Sequence, residues 1–230
     1  MFTQKLEEMK PGEIEEVLKK SPVVYIPWGS LEWHGLHNPV GLDALKAHEL
    51  CLRAAKKTGG VVHPPVYCGY QTMKPHAGFK KTLEMNRETV QKLAQDTFEQ
   101  LYDEGFRIIF VLMGHYGGEH MKALREVGSL FQQTHRDAKI LLFSDAEIAA
   151  GKGIVGDHAA GYETSLMMYF RQNLVDLKLL PEDREITIQQ DGIGGPVDPR
   201  RSTEKEGERI AEIIVEGMVS QVKNLQGQYE

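Results

Sequence analysis

The sequence predicts an α/β fold: a single three-layer domain in which a mostly parallel sheet is flanked by helices. Three observations carry this. Short β-branched and aromatic runs alternate with helix-periodic segments along the chain. One run, RIIFVLM at 107–113, is apolar without interruption, as expected for a central parallel strand covered on both faces. The 230 residues contain no dividing linker and no repeat, so residues 1–230 read as one domain. A chain of this length buries roughly 70% of its extended surface on folding, enough for a substantial core.

Each element has a local reason. PVVYIPW at 22–28 reads as the first strand, closed by Gly29. Residues 43–57 carry Leu45, Leu50, Leu52 and Ala55 at near-helical spacing, and Gly59-Gly60 stops that helix. Residues 61–67 read as a second strand whose two prolines leave its register or edge position open. Asn86 is expected to cap a helix over 86–102 with a stripe of Val90, Leu93, Ala94, Thr97, Phe98 and Leu101. After the 107–113 strand come a helix over 119–134, a strand over 139–143, and helices over 161–171 and 202–225. Residues 184–189 read as a short late strand. Strand–helix alternation with short connectors implies right-handed βαβ crossovers.

Composition narrows the partners. Lys plus Arg total 27 against 33 Asp plus Glu, a formal charge of -6, and no basic run reaches five residues. That argues against nucleic acid as the main partner. No apolar run approaches 18 residues, so no membrane span is expected. The opening segment, MFTQKLEEMKPGEIEEVLKK, is charged and amphipathic and lacks the apolar stretch of a signal peptide. Two cysteines cannot staple a chain this long, and a reducing, cytoplasmic setting is the expectation.

In open parallel sheets, sites form beyond the carboxyl ends of the strands. The polar clusters fall there: GSLEWHGLHNPVGLD at 29–43, GHYGGEH at 114–120 and GDHAAGYET at 156–164. Glu32, His34 and Asp43 supply two carboxylates and an imidazole within one loop, and His115 and Glu163 add one of each. Imidazole and carboxylate without thiolate suit zinc, manganese or iron. If one carboxylate such as Asp43 bridges, five side chains hold two ions and leave positions for water. Taken singly, an Asp or His after a strand is usually a cap or turn residue. The joint pattern is what points to metal: six of the nine histidines (His34, His37, His76, His115, His120 and His158) lie in or beside glycine-containing polar segments.

At these residues the sequence resembles the creatininase family, also called creatinine amidohydrolases, which are α/β metal hydrolases. The family's first motif runs roughly Gly-Ser-x-Glu-Gln-His-Gly-x-His-Leu-Pro-x-x-x-Asp. The segment 29–43 keeps its Glu, both His and Asp in place, with Trp33 where glutamine is common. The resemblance covers about residues 23–164 and implies that Glu32, His34 and Asp43 are metal ligands, Asp43 bridging. His115 would be the next ligand. In creatininase itself the Glu two places after that His is a ligand, whereas this chain has Gly117. That departure counts against creatinine and shifts the fifth ligand to Glu163, in a segment resembling His-Ala-Gly-x-x-Glu-Thr, with Glu119 the alternative. His158 matches the family's catalytic histidine. Asp157 matches an acidic position that would hold substrate or move protons, or else caps the following helix. His37 would hydrogen-bond a ligand carboxylate. Where many members have Phe-x-Gly-Thr after a histidine, the stretch His76-Ala77-Gly78-Phe79-Lys80-Lys81-Thr82 keeps His76 and Phe79 but has Lys81-Thr82 in place of the Gly-Thr pair. Tyr70, Gln71, Lys74, His76 and Tyr116 are candidates for a polar pocket, with Lys74 or Lys80 placed to attract an anionic or polyhydroxylated substrate.

The expectation is therefore a creatininase-like, metal-dependent hydrolase with two divalent ions per subunit. Its substrate would be a small molecule, a cyclic amide or formamide cleaved at a C–N bond. The alternative is C–C cleavage in a cyclic diketone such as an oxidised inositol, and a third is a non-catalytic metal-binding protein. The resemblance also implies a homo-oligomer, commonly a hexamer.

Overall fold

The computed structural model describes residues 4–74 and 81–227. Its centre is a five-stranded parallel sheet. Strand β1, Val23–Gly29, pairs from Val23 to Trp28 with the apolar strand Ile108–Met113, here β4. The latter pairs in turn with β5, Lys139–Ser144. On its other edge β1 meets β2, Val61–Val62, and then β3, Val66–Tyr67. The single second strand expected over 61–67 is thus two short pieces. Pro64 and Pro65 lie between them, where a residue without an N–H cannot continue a ladder.

Side-chain alternation sorts the strands between two cores. Val23, Tyr25, Ile108, Phe110 and Leu112 face helices α2 (Leu42–Thr58), α6 (Gly161–Arg171) and α8 (Glu204–Gln226), against Leu50, Ala54, Leu166, Ile214 and Met218. Val24, Ile26, Trp28, Ile109, Val111 and Met113 face α3 (Arg87–Asp103) and α4 (Gly118–Thr134), against Ala94, Phe98, Leu124 and Phe131. Helix α1, Pro11–Leu18, adds Ile14 and Val17 to this second face. The three layers follow, and burial on both sides explains why β4 is apolar throughout.

The strand order β2-β1-β4-β5 reverses direction between β1 and β4, with α2 on one face and α3 on the other. Such a switch point opens a crevice beyond the strand ends. Two glycines let the start of α2 lie directly across it. A Cβ on Gly29 would stand 2.3 Å from the Ala44 nitrogen, and one on Gly114 2.1 Å from the Asp43 carbonyl oxygen. Asp43 is thereby pressed against the ends of both central strands.

Two local expectations are corrected, and one unanticipated helix appears. Residues 184–189 form no strand: Thr187 caps a short helix, α7 (Ile188–Asp191), and Arg184 grips Asp191 with two nitrogens at 2.9 and 2.6 Å. Asn86 occupies the cap position of α3 but its side chain accepts no cap hydrogen bond there. A further helix, α5 (Asp145–Ala150), follows β5 directly. Its start is a reciprocal cap in which Ser144 Oγ accepts from the Glu147 nitrogen and the Glu147 carboxylate accepts from the Ser144 nitrogen. Among the described residues no helix is long and apolar enough to cross a membrane.

Candidate metal centre

The crevice gathers the five side chains singled out in the sequence. Glu32 and His34 come from the loop after β1, Asp43 from the first turn of α2, His115 from the loop after β4, and Glu163 from the first turn of α6. All five are buried. They fall into two triplets that share one residue: His34, Asp43 and Glu163, and Glu32, Asp43 and His115. In the first, His34 Nε2 lies 3.0 Å from Asp43 Oδ1 and 3.6 Å from Glu163 Oε2. In the second, His115 Nδ1 lies 3.2 Å from Glu32 Oε2 and 3.5 Å from Asp43 Oδ2. Asp43 gives one oxygen to each triplet, which is the arrangement of a bridging carboxylate.

The backbone fixes the imidazoles for this task. His34 Nδ1 donates to the Glu32 carbonyl at 3.0 Å, and His115 Nε2 donates to the Tyr70 carbonyl at 3.0 Å. A carbonyl only accepts, so in each neutral ring the other nitrogen is a lone pair aimed at carboxylate oxygens. Lone pairs facing anions in a buried space call for either a proton or a metal ion between them. Burial alone disfavours charged rings here. The Asp43 charge and hydrogen bond, with Glu163 and Glu32, outweigh it and raise His34 to about 9. Burial at His115 is likewise overcome by Asp43 and Glu32, which raise it to about 10. Asp43 itself is buried, yet the two imidazoles hold it well below the usual carboxylate range. Protons thus sit in the metal-free centre where divalent ions would fit.

Both outer carboxylates are held by hydrogen bonds from the protein. Glu32 Oε1 accepts the Met73 N–H at 2.6 Å, leaving Oε2 for the His115 triplet. Glu163 Oε1 receives Lys46 Nζ at 2.5 Å and lies 2.9 Å from the Tyr116 hydroxyl, while Oε2 accepts the Ala159 N–H at 2.7 Å. Ala159 takes up a left-handed φ of 57° to present that N–H. Ser30 Oγ, 2.6 Å from Asp43 Oδ2, braces the bridge. Glu119, the alternative fifth ligand, is exposed and pairs with Lys122 at 3.6 Å. At Gly117 a Cβ would stand 2.7 Å from the Gln71 carbonyl oxygen, so no side chain enters from that position as the backbone lies.

His158 stacks on His34 with ring centroids 4.5 Å apart, and its Nε2 donates to the Trp33 carbonyl at 3.0 Å. Burial, then the neighbouring His34, lowers its pKa. Its backbone pairs with Gly194 in both directions, so the 192–197 segment, beyond the 23–164 stretch that carries the motifs, forms part of the wall. Asp157 accepts backbone N–H groups of Ala160 and Tyr162 at 3.1 and 2.7 Å and of Glu163 at 3.3 Å, the capping geometry for α6. Burial, then the Glu163 charge, pushes its carboxyl up to about 7. His37 departs from expectation. Its Nε2 meets the Thr164 hydroxyl and the Asn38 amide, both at 3.0 Å, rather than a ligand carboxylate. Burial lowers it to about 4 and keeps it neutral.

The pocket residues also diverge from expectation. Lys74 Nζ donates to the Thr82 carbonyl at 3.0 Å, and Gln71 Oε1 accepts the Glu119 N–H at 2.6 Å. The readings on His76, Phe79 and Lys80 lie outside the described residues. Lys46, Asp145 and Ser30 are the site residues that sequence reasoning missed. Lys46 sits between Leu45 and Ala47 in an ordinary-looking amphipathic helix, and nothing local marks it as buried. Asp145 had a usable signal, an acid at the carboxyl end of a predicted strand.

Known proteins place the chain in a family. The Creatininase family model, described as creatinine amidohydrolase, matches residues 7–222. The creatinine amidohydrolase of Pseudomonas putida is 26% identical over 234 residues, covering 87% of this chain and 88% of the relative. The mycofactocin precursor peptide peptidase of Mycolicibacterium smegmatis is 28% identical over 226 residues, covering 89% and 86%. The 3-dehydro-scyllo-inosose hydrolase of Thermotoga maritima is 31% identical over 107 residues, covering 46% of this chain and 34% of the relative. The crystal structure of creatininase superposes with a TM-score of 0.83 at 23% identity, over 97% of this chain and 98% of that one. A manganese creatininase superposes at 0.82 and 24% identity over the same shares. At that identity the structures speak for the fold, and the family match over nearly the whole chain speaks for descent. The chain belongs to the creatininase family of metal-dependent amidohydrolases.

Proposed function

We propose that this protein hydrolyses a C–N bond in a small cyclic amide or formamide, using two divalent ions (zinc, manganese or iron) held by Glu32, His34, Asp43, His115 and Glu163. The observation that supports it most is the pair of buried triplets sharing Asp43, with both imidazole lone pairs fixed toward carboxylates. Divalent ions in such a site lower the pKa of water and polarise the substrate carbonyl. The three ligand carboxylates would offset most of the charge of two dipositive ions.

The rest falls to the chain's own groups. His158 is the proton carrier. Its Nε2 is committed to the Trp33 carbonyl, so the proton moves at Nδ1, and its lowered pKa keeps the ring neutral and able to accept near pH 7. Passing that proton to the departing nitrogen completes the cleavage. Asp157 positions His158 and Glu163 through the backbone it caps. The closed approach at Gly117 separates this site from creatininase, where a glutamate at that place is expected to ligate, and makes creatinine a poor substrate. The 31% match to an inosose hydrolase favours ring opening of an oxidised inositol as the second reading.

Metal analysis with activity profiling tests this. Purified protein should hold two divalent ions per chain, and Glu163→Gln should lower that number while His158→Ala leaves it unchanged and removes turnover. The substrate panel comprises cyclic amides, formamides and keto-inositols. Well under one ion per chain, with no gain on reconstitution, would sink the metal reading. Two ions without turnover of any panel member would favour a binding protein, and turnover confined to keto-inositols would favour the second reading.

A further inference from the structure

Lys46 is wholly buried, one helical turn beyond Asp43 on the same face of α2. Its ammonium lies 2.5 Å from Glu163 Oε1 and 3.1 Å from Asp145 Oδ2, and 4.6 and 5.6 Å from the ring centroids of Tyr116 and Tyr162. Burying an ammonium is costly, and an apolar residue of similar length would fill the space at less cost. Packing alone therefore does not account for a lysine here. Nor does overall neutrality, since Asp145 already balances the Lys46 charge and the two ions already offset the ligand carboxylates.

What remains particular to Lys46 is its bond to one oxygen of Glu163. That oxygen also has the Tyr116 hydroxyl at 2.9 Å, while the other oxygen accepts the Ala159 N–H at 2.7 Å and faces His34. We propose that Lys46 is a positioning residue that confines Glu163 to one-oxygen ligation of the ion shared with His34 and Asp43, keeping a coordination position open there. The proposal rests on the two-ion reading and adds a specific denticity to one of its ligands. Without the Lys46 ammonium only the Tyr116 hydroxyl holds that oxygen back, and the carboxylate can turn both oxygens to the ion, closing the position that water or substrate would take.

Cobalt(II) reports the difference, because its visible absorption is stronger at four or five ligands than at six. The test compares the wild-type protein loaded with cobalt(II) alone against Lys46→Met/Asp145→Asn, which removes the tether while keeping the pair uncharged. A third protein, Lys46→Gln/Asp145→Asn, restores a neutral donor. The expected result is unchanged cobalt stoichiometry, a loss of visible absorption per ion in the methionine variant, and recovery in the glutamine variant. Spectra that overlay across all three would overturn the role of Lys46 alone. A wild-type chain that binds no cobalt would overturn the two-ion reading and this proposal with it. If the double variants do not fold, a crystal structure of the wild-type cobalt protein decides. One Glu163 oxygen on the ion supports the proposal and two overturn it.

Discussion

Removing the metal should make this protein lose stability as the solution becomes alkaline, because protons replace ions in the empty centre. His34 and His115 are raised to about 9 and about 10 in the folded, metal-free chain, against about 6.5 for an unfolded histidine. A raised folded-state pKa contributes stability that is complete below the unfolded value and disappears as pH climbs through the folded one. Between about pH 7.5 and 8.5 the native state holds two protons that the unfolded state has released. Stability of the metal-free protein should then fall by about 2.7 kcal/mol per pH unit, twice the 1.36 kcal/mol linked to one proton. In a chain of 230 residues each kcal/mol shifts the melting temperature by about 2–4 °C, so the drop is about 5–10 °C per unit. The metal-loaded protein should not show it, since each ion takes the place of one proton. For the same reason each apparent affinity should rise about tenfold per pH unit in this window. Thermal melts with and without chelator at pH 7.5 and 8.5, with proton release followed in weak buffer during metal titration, measure both effects. A metal-free melting temperature that holds steady or rises across that interval would refute the reasoning. So would release of less than one proton per ion.

Two further perturbations separate positioning from chemistry. Gly114→Ala places a Cβ 2.1 Å from the Asp43 carbonyl oxygen, so the start of α2 must move. Metal analysis should show loss of ions, and the melting temperature should fall by the equivalent of about 1–3 kcal/mol, the usual range for overpacking. Asp157→Asn sets an amide N–H against a backbone donor that the carboxylate now satisfies, at a cost of about 1–3 kcal/mol. Thermal melts and activity are read together there: a variant with unchanged melting temperature and lost turnover would make Asp157 a proton-transfer group instead of a cap.

Much of the architecture is legible in local pattern. The strands at 23–29, 108–113 and 139–144 and the helices at 161–171 and 118–134 fall within a residue or two of where periodicity and stop signals put them. These signals reside in a few consecutive residues and survive in a one-dimensional reading. The failures have the same root. Residues 184–189 look extended, but Thr187 and the Arg184–Asp191 pair close a helical turn that depends on one side chain reaching another. The short helix after Ser144 is six residues long, too brief to show a period, and only its reciprocal cap marks it.

The sequence by itself determined which residue types stand at the carboxyl ends of the central strands, and hence an imidazole and carboxylate centre without thiolate. Tertiary structure decided their grouping. Asp43 serves both triplets because β1 and β4 pair in a register that brings the loops after them together over the start of α2, which Gly29 and Gly114 admit at close range. Glu163, not Glu119, joins the cluster because one side chain turns inward beneath His34 while the other stays in solvent with Lys122. Lys46 becomes part of the centre only through partners 99 and 117 positions away, Asp145 and Glu163. Contacts at such separations are set by sheet register and helix packing, which no local window of sequence contains.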